Sequence, residues 1–374
     1  MTADSLKDLA FMERALALAE RGRGLTSPNP MVGAVVVRDG EVVGEGFHAE
    51  AGGPHAEIVA LAAAGEGARG ATLYVTLEPC NHHGRTPPCT RAIRNAGVTR
   101  VVAGAMDPNP HVTGGGAEAL RARGIEVAVG ARGAEVRAQN RGFFTAMRLG
   151  RPHITLKSAM TLDGKIAAQD GSSRWITGVE ARAEAHRLRS QSDAVVIGIG
   201  TALADDPALD VRLEMPWPRE PWRVVVDSQA RLPARARVIG AGRAERALVA
   251  VTDAAPPERV AALEAAGATV MACKSAQGRV DLGDLVARLF ARDVLAVLVE
   301  GGAELNAGFL EAGLVDRVAI FLAPKLVGGA GAPTPVGGPA RALSQALRLA
   351  RPTVRLLGDD WLVEADVAAA DEED

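Results

Sequence analysis

Two α/β domains, meeting near Gly150-Arg151-Pro152, are predicted from three features of the chain. The first is length, since 374 residues exceed what one hydrophobic core usually serves. The second is the alternation of short apolar, β-branched runs with helical stretches on both sides of that break, the pattern of layered α/β folds. The third is that the residues able to do chemistry fall into two separate groups, one before the break and one after it. Residues 1–149 are assigned to the first domain and 150–374 to the second.

Composition narrows the function. A hydrophobic content of 48% with 23% charged residues belongs to a globular domain with its own core. A net charge of −3 supplies no basic field for a polyanion, and 3% aromatics leave few platforms for stacking bases. No nucleic-acid partner is expected. No apolar run is long enough to span a bilayer, and no charged-then-apolar leader opens the chain, so no membrane partner and a cytoplasmic location are expected. Three cysteines, an odd and low number, suit a reducing compartment. Cys273 reads as an inert thiol on a strand, and the terminal Asp-Glu-Glu-Asp as a solvated tail. A homo-oligomer, dimer or tetramer, is expected.

In the first domain, Leu6, Leu9, Met12, Leu16 and Ala19 recur at helical spacing and predict a helix to Glu20, stopped by Gly22 and Gly24. Pro28-Asn29-Pro30 marks a loop. Residues 33–38 and 41–47 read as a hairpin around Asp39-Gly40. Helices are expected over 55–64, 89–95, 117–123 and 135–149, and strands over 71–77, 98–105 and 125–129. His55 and Cys89 thereby fall in the first turns of two helices, where the dipole favours negative charge.

The stretch from His55 to Cys89 organises this domain. It contains Pro54-His55-Ala56-Glu57, then Glu78-Pro79-Cys80, then a loop from Asn81 to Cys89. One imidazole and two thiols are three ligands of the kinds zinc takes, and they leave a fourth tetrahedral position open for catalysis. Glu57 is too close in sequence to His55 to be a comfortable fourth ligand. Its carboxylate can instead take a proton from an activated water and pass it on.

H-x-E, Pro-Cys and a second Cys resemble the signature of the zinc-dependent nucleoside and nucleobase deaminases. The eight residues between Cys80 and Cys89, including His-His-Gly-Arg-Thr-Pro-Pro, are more than most of those families have. They resemble the deaminase half of the bifunctional riboflavin-biosynthesis deaminase/reductases. That resemblance implies a cytidine-deaminase-like three-layer domain with one zinc per chain on His55, Cys80 and Cys89, and Glu57 as the catalytic proton shuttle. It also implies substrate contacts from Asn29, His48, His82, Asp107 and Asn109. Read from the residues alone, Asn29, Asp107 and Asn109 sit before prolines and could simply make turns. His82 and His83 compete for a role in the loop, and the resemblance favours His82.

The second domain is expected to carry strands over 153–159, 193–198, 222–227, 247–252, 268–273, 294–300, 315–322, 353–357 and 361–364. Helices are expected over 179–191, 257–266 and 282–291, and from Ala303 onward. Val294-Leu295-Ala296-Val297-Leu298-Val299 is apolar throughout, which implies a strand buried on both faces. No complete dinucleotide glycine fingerprint occurs, because Leu203 stands where a third glycine would follow Gly198 and Gly200. Glu300-Gly301-Gly302 before a helix is a better candidate for close backbone approach and phosphate contact.

Together with 157–164, 174–177 and 203–207, this turn resembles the reductase half of the same bifunctional family. The resemblance implies a dihydrofolate-reductase-like domain using NADPH, with Ala159, Trp175, Thr201, Asp205, Ser228 and Gly302 beside the dinucleotide. Ser173, Arg189, Arg212 and Glu300 would face the sugar phosphate, and Lys157 is a polar helper near the hydride path. The family usually has Ser where Thr161 stands, which keeps the hydroxyl. The reaction implied is hydrolytic deamination of 2,5-diamino-6-ribosylamino-4(3H)-pyrimidinone 5′-phosphate, a small pyrimidine ribose phosphate. Reduction of its ribosyl chain to ribityl follows. Two rival readings are a deaminase of another base or of tRNA with a non-catalytic second domain, and a zinc-stabilised structural protein. The missing basic groove argues against the first, and the intact Glu57 with three rather than four ligands against the second.

Overall fold

The computed structural model describes residues 3–82, 88–109, 115–215, 217, 219–240 and 244–368. His83 and the terminal acidic residues lie outside this set. Contacts divide the chain into two compact units, 1–151 and 152–374.

The first unit runs α1 (Ala3–Glu20), β1 (Gly33–Arg38), β2 (Glu41–Phe47), α2 (Ala56–Ala64), β3 (Thr72–Leu77), α3 (Cys89–Asn95), β4 (Arg100–Ala105), α4 (Gly116–Arg121), β5 (Glu126–Val129), α5 (Gly133–Gln139) and α6 (Arg141–Leu149). Its sheet has the order β2-β1-β3-β4-β5. β1 is antiparallel to both neighbours, while β3, β4 and β5 are parallel. Alternate residues of β1 feed opposite faces. Ala34 and Val36 pack with α2, α3 and α4, whereas Val35 and Val37 pack with α1. The result is the three-layer sandwich of the cytidine-deaminase-like class.

Gly44 and Gly46 bring α2 directly onto β2. A Cβ on Gly46 would stand 2.5 Å from the Ala60 nitrogen and 2.6 Å from the Ala56 oxygen. No other residue fits that approach, so the glycines set where the N-terminus of α2 lies.

The single helix expected over 135–149 is two helices, broken at Asn140. This residue leaves helical geometry at φ −112°, ψ 29°. Its Oδ1 accepts from the Met31 nitrogen at 2.8 Å and its Nδ2 donates to the Met31 oxygen at 3.0 Å. A buried side chain that satisfies both polar groups of Met31 outweighs one turn of helix continuity. Asn140→Leu leaves those groups unpaired, and thermal unfolding is expected to show a loss of about 1–3 kcal/mol for the first unit. An unchanged midpoint would show that Asn140 does not hold the Met31 loop.

The second unit runs β6 (His153–Thr161), α7 (Val179–Ser190), β7 (Ala194–Gly198), α8 (Ile199–Asp205), β8 (Trp222–Val226), β9 (Ala247–Val251), α9 (Pro257–Ala265), β10 (Thr269–Ala272), β11 (Ser275–Ala276), β12 (Arg279–Val280), α10 (Leu282–Phe290), β13 (Ala296–Val299), α11 (Ala303–Glu311), β14 (Arg317–Ala323), β15 (Leu349–Leu357) and β16 (Asp360–Val367). Nine strands form one sheet, ordered β10-β9-β8-β7-β13-β6-β14-β16-β15. The first seven are parallel, and the β15–β16 hairpin adds antiparallel to β14. In β13, Leu298 packs with the α7 and α9 side, while Val297 and Val299 pack with the α10 and α11 side. That strand is buried on both faces, as its unbroken apolar run implies.

Three elements differ from expectation. Residues 199–205, to which no element was assigned from sequence, form α8, with Gly198 as an extended N-cap. The small hairpin β11–β12 was not anticipated, being two residues a side around Gln277-Gly278, too short for a period-2 signal. β15 begins four residues earlier than expected. Pro352 sits in an irregularity between Ala350 and Thr353, which an edge strand tolerates.

Candidate functional sites in the two units

β3 ends at Leu77, and Glu78-Pro79 carries the chain to Cys80. Cys89 opens α3, and His55 caps α2 with an extended backbone, one position before the first turn where the sequence suggested it. The three ligand atoms lie within 4.8 Å of one another. His55 Nδ1 is 3.2 Å from Cys89 Sγ and 3.6 Å from Cys80 Sγ. Zinc bonds of about 2.0–2.3 Å in a tetrahedron separate ligand atoms by roughly 3.5 Å, so this spacing fits the ion with one coordination position left over.

The thiols share protons with the imidazole. Hydrogen bonding from Cys89 and His55 pulls Cys80 down to about 4, and the same bond pushes Cys89 up. A divalent cation is what displaces such protons from a mixed thiol and imidazole cluster. Glu57 is buried beside Cys89, and burial raises its carboxyl above the usual range. It is thus suited to hold a proton as well as to release one.

One predicted contact borders this cluster directly, and a second lies behind it. The His48 ring stands edge-on to His55, with centroids 5.8 Å apart. His48 Nδ1 lies 3.0 Å from the Pro54 carbonyl oxygen, which requires the proton on Nδ1. Nε2 is then an acceptor, and the Asn29 amide donates to it at 3.1 Å. Burial lowers the His48 pKa and keeps the ring neutral. Asp107 and Asn109 form an Asx turn, Asn109 N donating to Asp107 Oδ1 at 2.9 Å, so the turn role read from sequence is real. Burial raises the Asp107 carboxyl. His82 is exposed, two residues past Cys80.

Sequence reasoning missed Glu78. Its carboxylate accepts from Ala117 N at 2.9 Å and from Asp107 N at 3.1 Å, tying the start of α4 and the Asp107 turn to the strand end that bears Cys80. The only signal was its position before Pro79-Cys80.

In the second unit, Glu300 follows β13 with its side chain 9% exposed. Arg189 grips it in a fork, at 2.6 Å and 2.9 Å, and Lys157 on β6 donates to it at 3.3 Å. Burial alone would raise this carboxyl, but the two cations win and hold it well below the usual range. Three residues suggested separately from sequence therefore form one buried ion triad. Ala159 lies two positions beyond Lys157 on the same strand. Gly302 caps α11, and a Cβ there would stand 3.3 Å from Thr201 Oγ1, so these two predicted residues adjoin.

Ser173 and Trp175 line a cleft of about 150 Å³ with Thr161, Lys165, Arg174 and Lys325. The Asp205 carbonyl receives Arg174 Nη2 at 2.7 Å, which joins it to that wall. Ser228 lies in the turn two residues after β8, and its Oγ accepts from Val280 N at 3.1 Å, beside the unexpected hairpin. Arg212 is not drawn into the triad. Its side chain is 66% exposed and lies 3.5 Å from Asp210. Arg189 Nη1 reaches the Asp210 carbonyl at 3.1 Å from the other side. Lys165 and Lys325 carry no motif, and sequence reasoning passed over them.

Comparison with known proteins agrees with both halves. The family of cytidine and deoxycytidylate deaminase zinc-binding regions matches residues 5–105, and the RibD C-terminal domain family matches residues 152–363. The riboflavin biosynthesis protein RibD of Actinobacillus pleuropneumoniae is 44% identical over 361 residues, covering 96% of this chain and 95% of that protein. The Aquifex aeolicus RibD is 43% identical, covering 95% and 97%. Among solved structures, Acinetobacter baumannii RibD aligns with a TM-score of 0.87 at 38% identity, covering 98% of this chain and all of that one. A Thermotoga maritima diaminohydroxyphosphoribosylaminopyrimidine deaminase/5-amino-6-(5-phosphoribosylamino)uracil reductase aligns at 0.84 and 38%. With a zinc-region deaminase fold before residue 151, a dihydrofolate-reductase-like RibD domain after it, and relatives this similar along nearly the whole chain, the protein belongs to the RibD family of bifunctional deaminase/reductases of riboflavin biosynthesis.

Proposed function

We propose that the first domain, residues 1–149, deaminates 2,5-diamino-6-ribosylamino-4(3H)-pyrimidinone 5′-phosphate, and that the second, 150–374, reduces the ribosyl chain of the product to ribityl with NADPH. The observation that carries the first half is the convergence of His55, Cys80 and Cys89 from two helix starts and a strand end, with Glu57 buried beside them. One zinc per chain is held by these three residues. When bound, it supplies a Lewis acid that lowers the pKa of water from about 15.7 toward about 7. Glu57 takes the proton released and delivers it to the departing amine. Neutral His48, with its tautomer set by Pro54, and Asn29 orient the pyrimidine from one side. Asp107, Asn109 and His82 approach from the other loops.

The second half is supported by the Lys157–Glu300–Arg189 triad, which joins the middle of β6 and the last turn of α7 to the residue after β13. Substrate hydroxyls and phosphate are read by Ser173, Arg189, Arg212 and Glu300, and Lys157 lies beside the hydride path. Ala159, Trp175, Thr201, Asp205, Ser228 and Gly302 border the dinucleotide. A cytoplasmic location and a homo-oligomeric state, dimer or tetramer, complete this proposal. Among the described residues, no helix is long and apolar enough to cross a membrane.

Incubating the full chain with the diaminopyrimidine phosphate, with and without NADPH, tests the reading by product mass. Deaminated product is expected in both cases, and ribityl product only with NADPH. Metal analysis is expected to give about one zinc per chain, falling together with deamination in Cys80→Ser and Cys89→Ser. Full metal occupancy in both variants would sink the ligand assignment.

A further inference from the structure

Trp175 is 64% exposed, unusual for so large an aromatic side chain, yet it is held from two directions. The Arg182 guanidinium lies over its ring, 4.6 Å from the centroid. Lys325 Nζ donates to the Trp175 and Ile176 carbonyls, each at 2.7 Å. An ammonium has three protons and no acceptor, so two successive carbonyls turned toward one cation define where that peptide segment can lie.

Lys325 is itself anchored. Leu162 N donates to the Lys325 carbonyl at 2.9 Å. The Asp163 carboxylate accepts from Val327 N at 3.2 Å and Gly328 N at 2.6 Å, and also from the Thr161 hydroxyl. Lys165 Nζ reaches the Ala332 carbonyl at 3.3 Å, farther along the same segment. The chain after β14 is thus stapled to the loop after β6, and Lys325 passes that rigidity on to the Trp175 segment. All three segments line the one cleft.

We propose that Lys325 is a positioning residue for the dinucleotide. It acts through Trp175, fixing it so that the exposed indole is already in place when NADPH arrives and little ordering cost remains. The inference rests on the reading of Trp175 as a wall of the dinucleotide site.

The test uses the full chain in Lys325→Met, Lys325→Arg, Trp175→Ala and the double variant Trp175→Ala with Lys325→Met. NADPH affinity is followed by fluorescence titration, and segment anchoring by the rate of tryptic cleavage after Arg174 without ligand. Lys325→Met is expected to weaken NADPH binding about tenfold, the scale of a lost charged hydrogen bond, and to speed cleavage after Arg174. Lys325→Arg is expected to recover most of both, because it keeps charged donors at the carbonyls. In the Trp175→Ala background, Lys325→Met is expected to add less than about twofold, since residues acting through one another are not additive. Wild-type affinity in Lys325→Met, or a full additional loss in the double variant, overturns the proposal. If Trp175→Ala alone binds NADPH normally, the assignment of Trp175 is wrong and the proposal falls with it. A loss in Trp175→Ala without one in Lys325→Met leaves that assignment standing and removes only the role of Lys325.

Discussion

Glu57→Gln is expected to keep zinc at its wild-type level while deamination falls by at least about a hundredfold. The substitution preserves size and leaves His55, Cys80 and Cys89 untouched, so the metal cluster survives. What disappears is a group able to accept and return a proton, and such groups contribute on the order of a hundredfold or more. Reduction of already deaminated substrate should continue, because no residue assigned to it lies before residue 150. Metal analysis, with the two half-reactions assayed separately, reads all three quantities. Deamination within a few-fold of wild type would make Glu57 a structural residue. Loss of reduction as well, in folded and zinc-loaded protein, would overturn the division of labour between the domains.

Glu300→Gln should produce the opposite pattern, with reduction lost by at least about a hundredfold and zinc-dependent deamination near normal. Here stability is expected to change too. Glu300 is buried between Arg189 and Lys157, and removing its charge leaves two cations without their shared partner. Breaking such a triad from one side costs about 3–5 kcal/mol. The sign with pH follows from the depressed carboxyl. The stabilisation is fully present above the unfolded-state value of about 4.3 and fades as pH falls toward the lower folded-state value. Acid unfolding of the second unit should therefore be less steep in the variant than in wild type below that point. Equal acid profiles would mean that the triad contributes nothing to stability. Asp205→Ala added to Glu300→Ala should deepen the loss of reduction and still spare deamination.

Candidate residues for both sites could be named from sequence because ligand chemistry is written in residue type and short spacing. His-x-Glu with Pro-Cys and a second Cys suggests a zinc site, and the helix starts expected at residues 55 and 89 fall within one residue of the observed starts at 56 and 89. Glu78 and Asn140 were not legible. Each acts by satisfying backbone groups far away in sequence, at Ala117 and Met31. Nothing in a carboxylate or an amide announces which distant N–H it will meet. Arg189, Arg212 and Glu300 could be named as polar residues suited to a phosphate-bearing ligand. Only the fold shows that Glu300 is bound to Arg189 and Lys157, while Arg212 stays largely in solvent.

The amino-acid sequence by itself pointed to two α/β units, a break near residue 150, the candidate metal ligands His55, Cys80 and Cys89, and a doubly buried strand within 294–300. Each of these depends on periodicity, composition or residue chemistry within a few tens of residues. The tertiary structure alone decided the order of the nine strands, the division of the helix expected over 135–149, the hydrogen-bond partners of His48 and the path of the chain after β14 that brings Lys325 to the Trp175 and Ile176 carbonyls. Those outcomes turn on pairing between distant segments. In such pairing, the cost of leaving a buried donor or acceptor unpaired outweighs local preference.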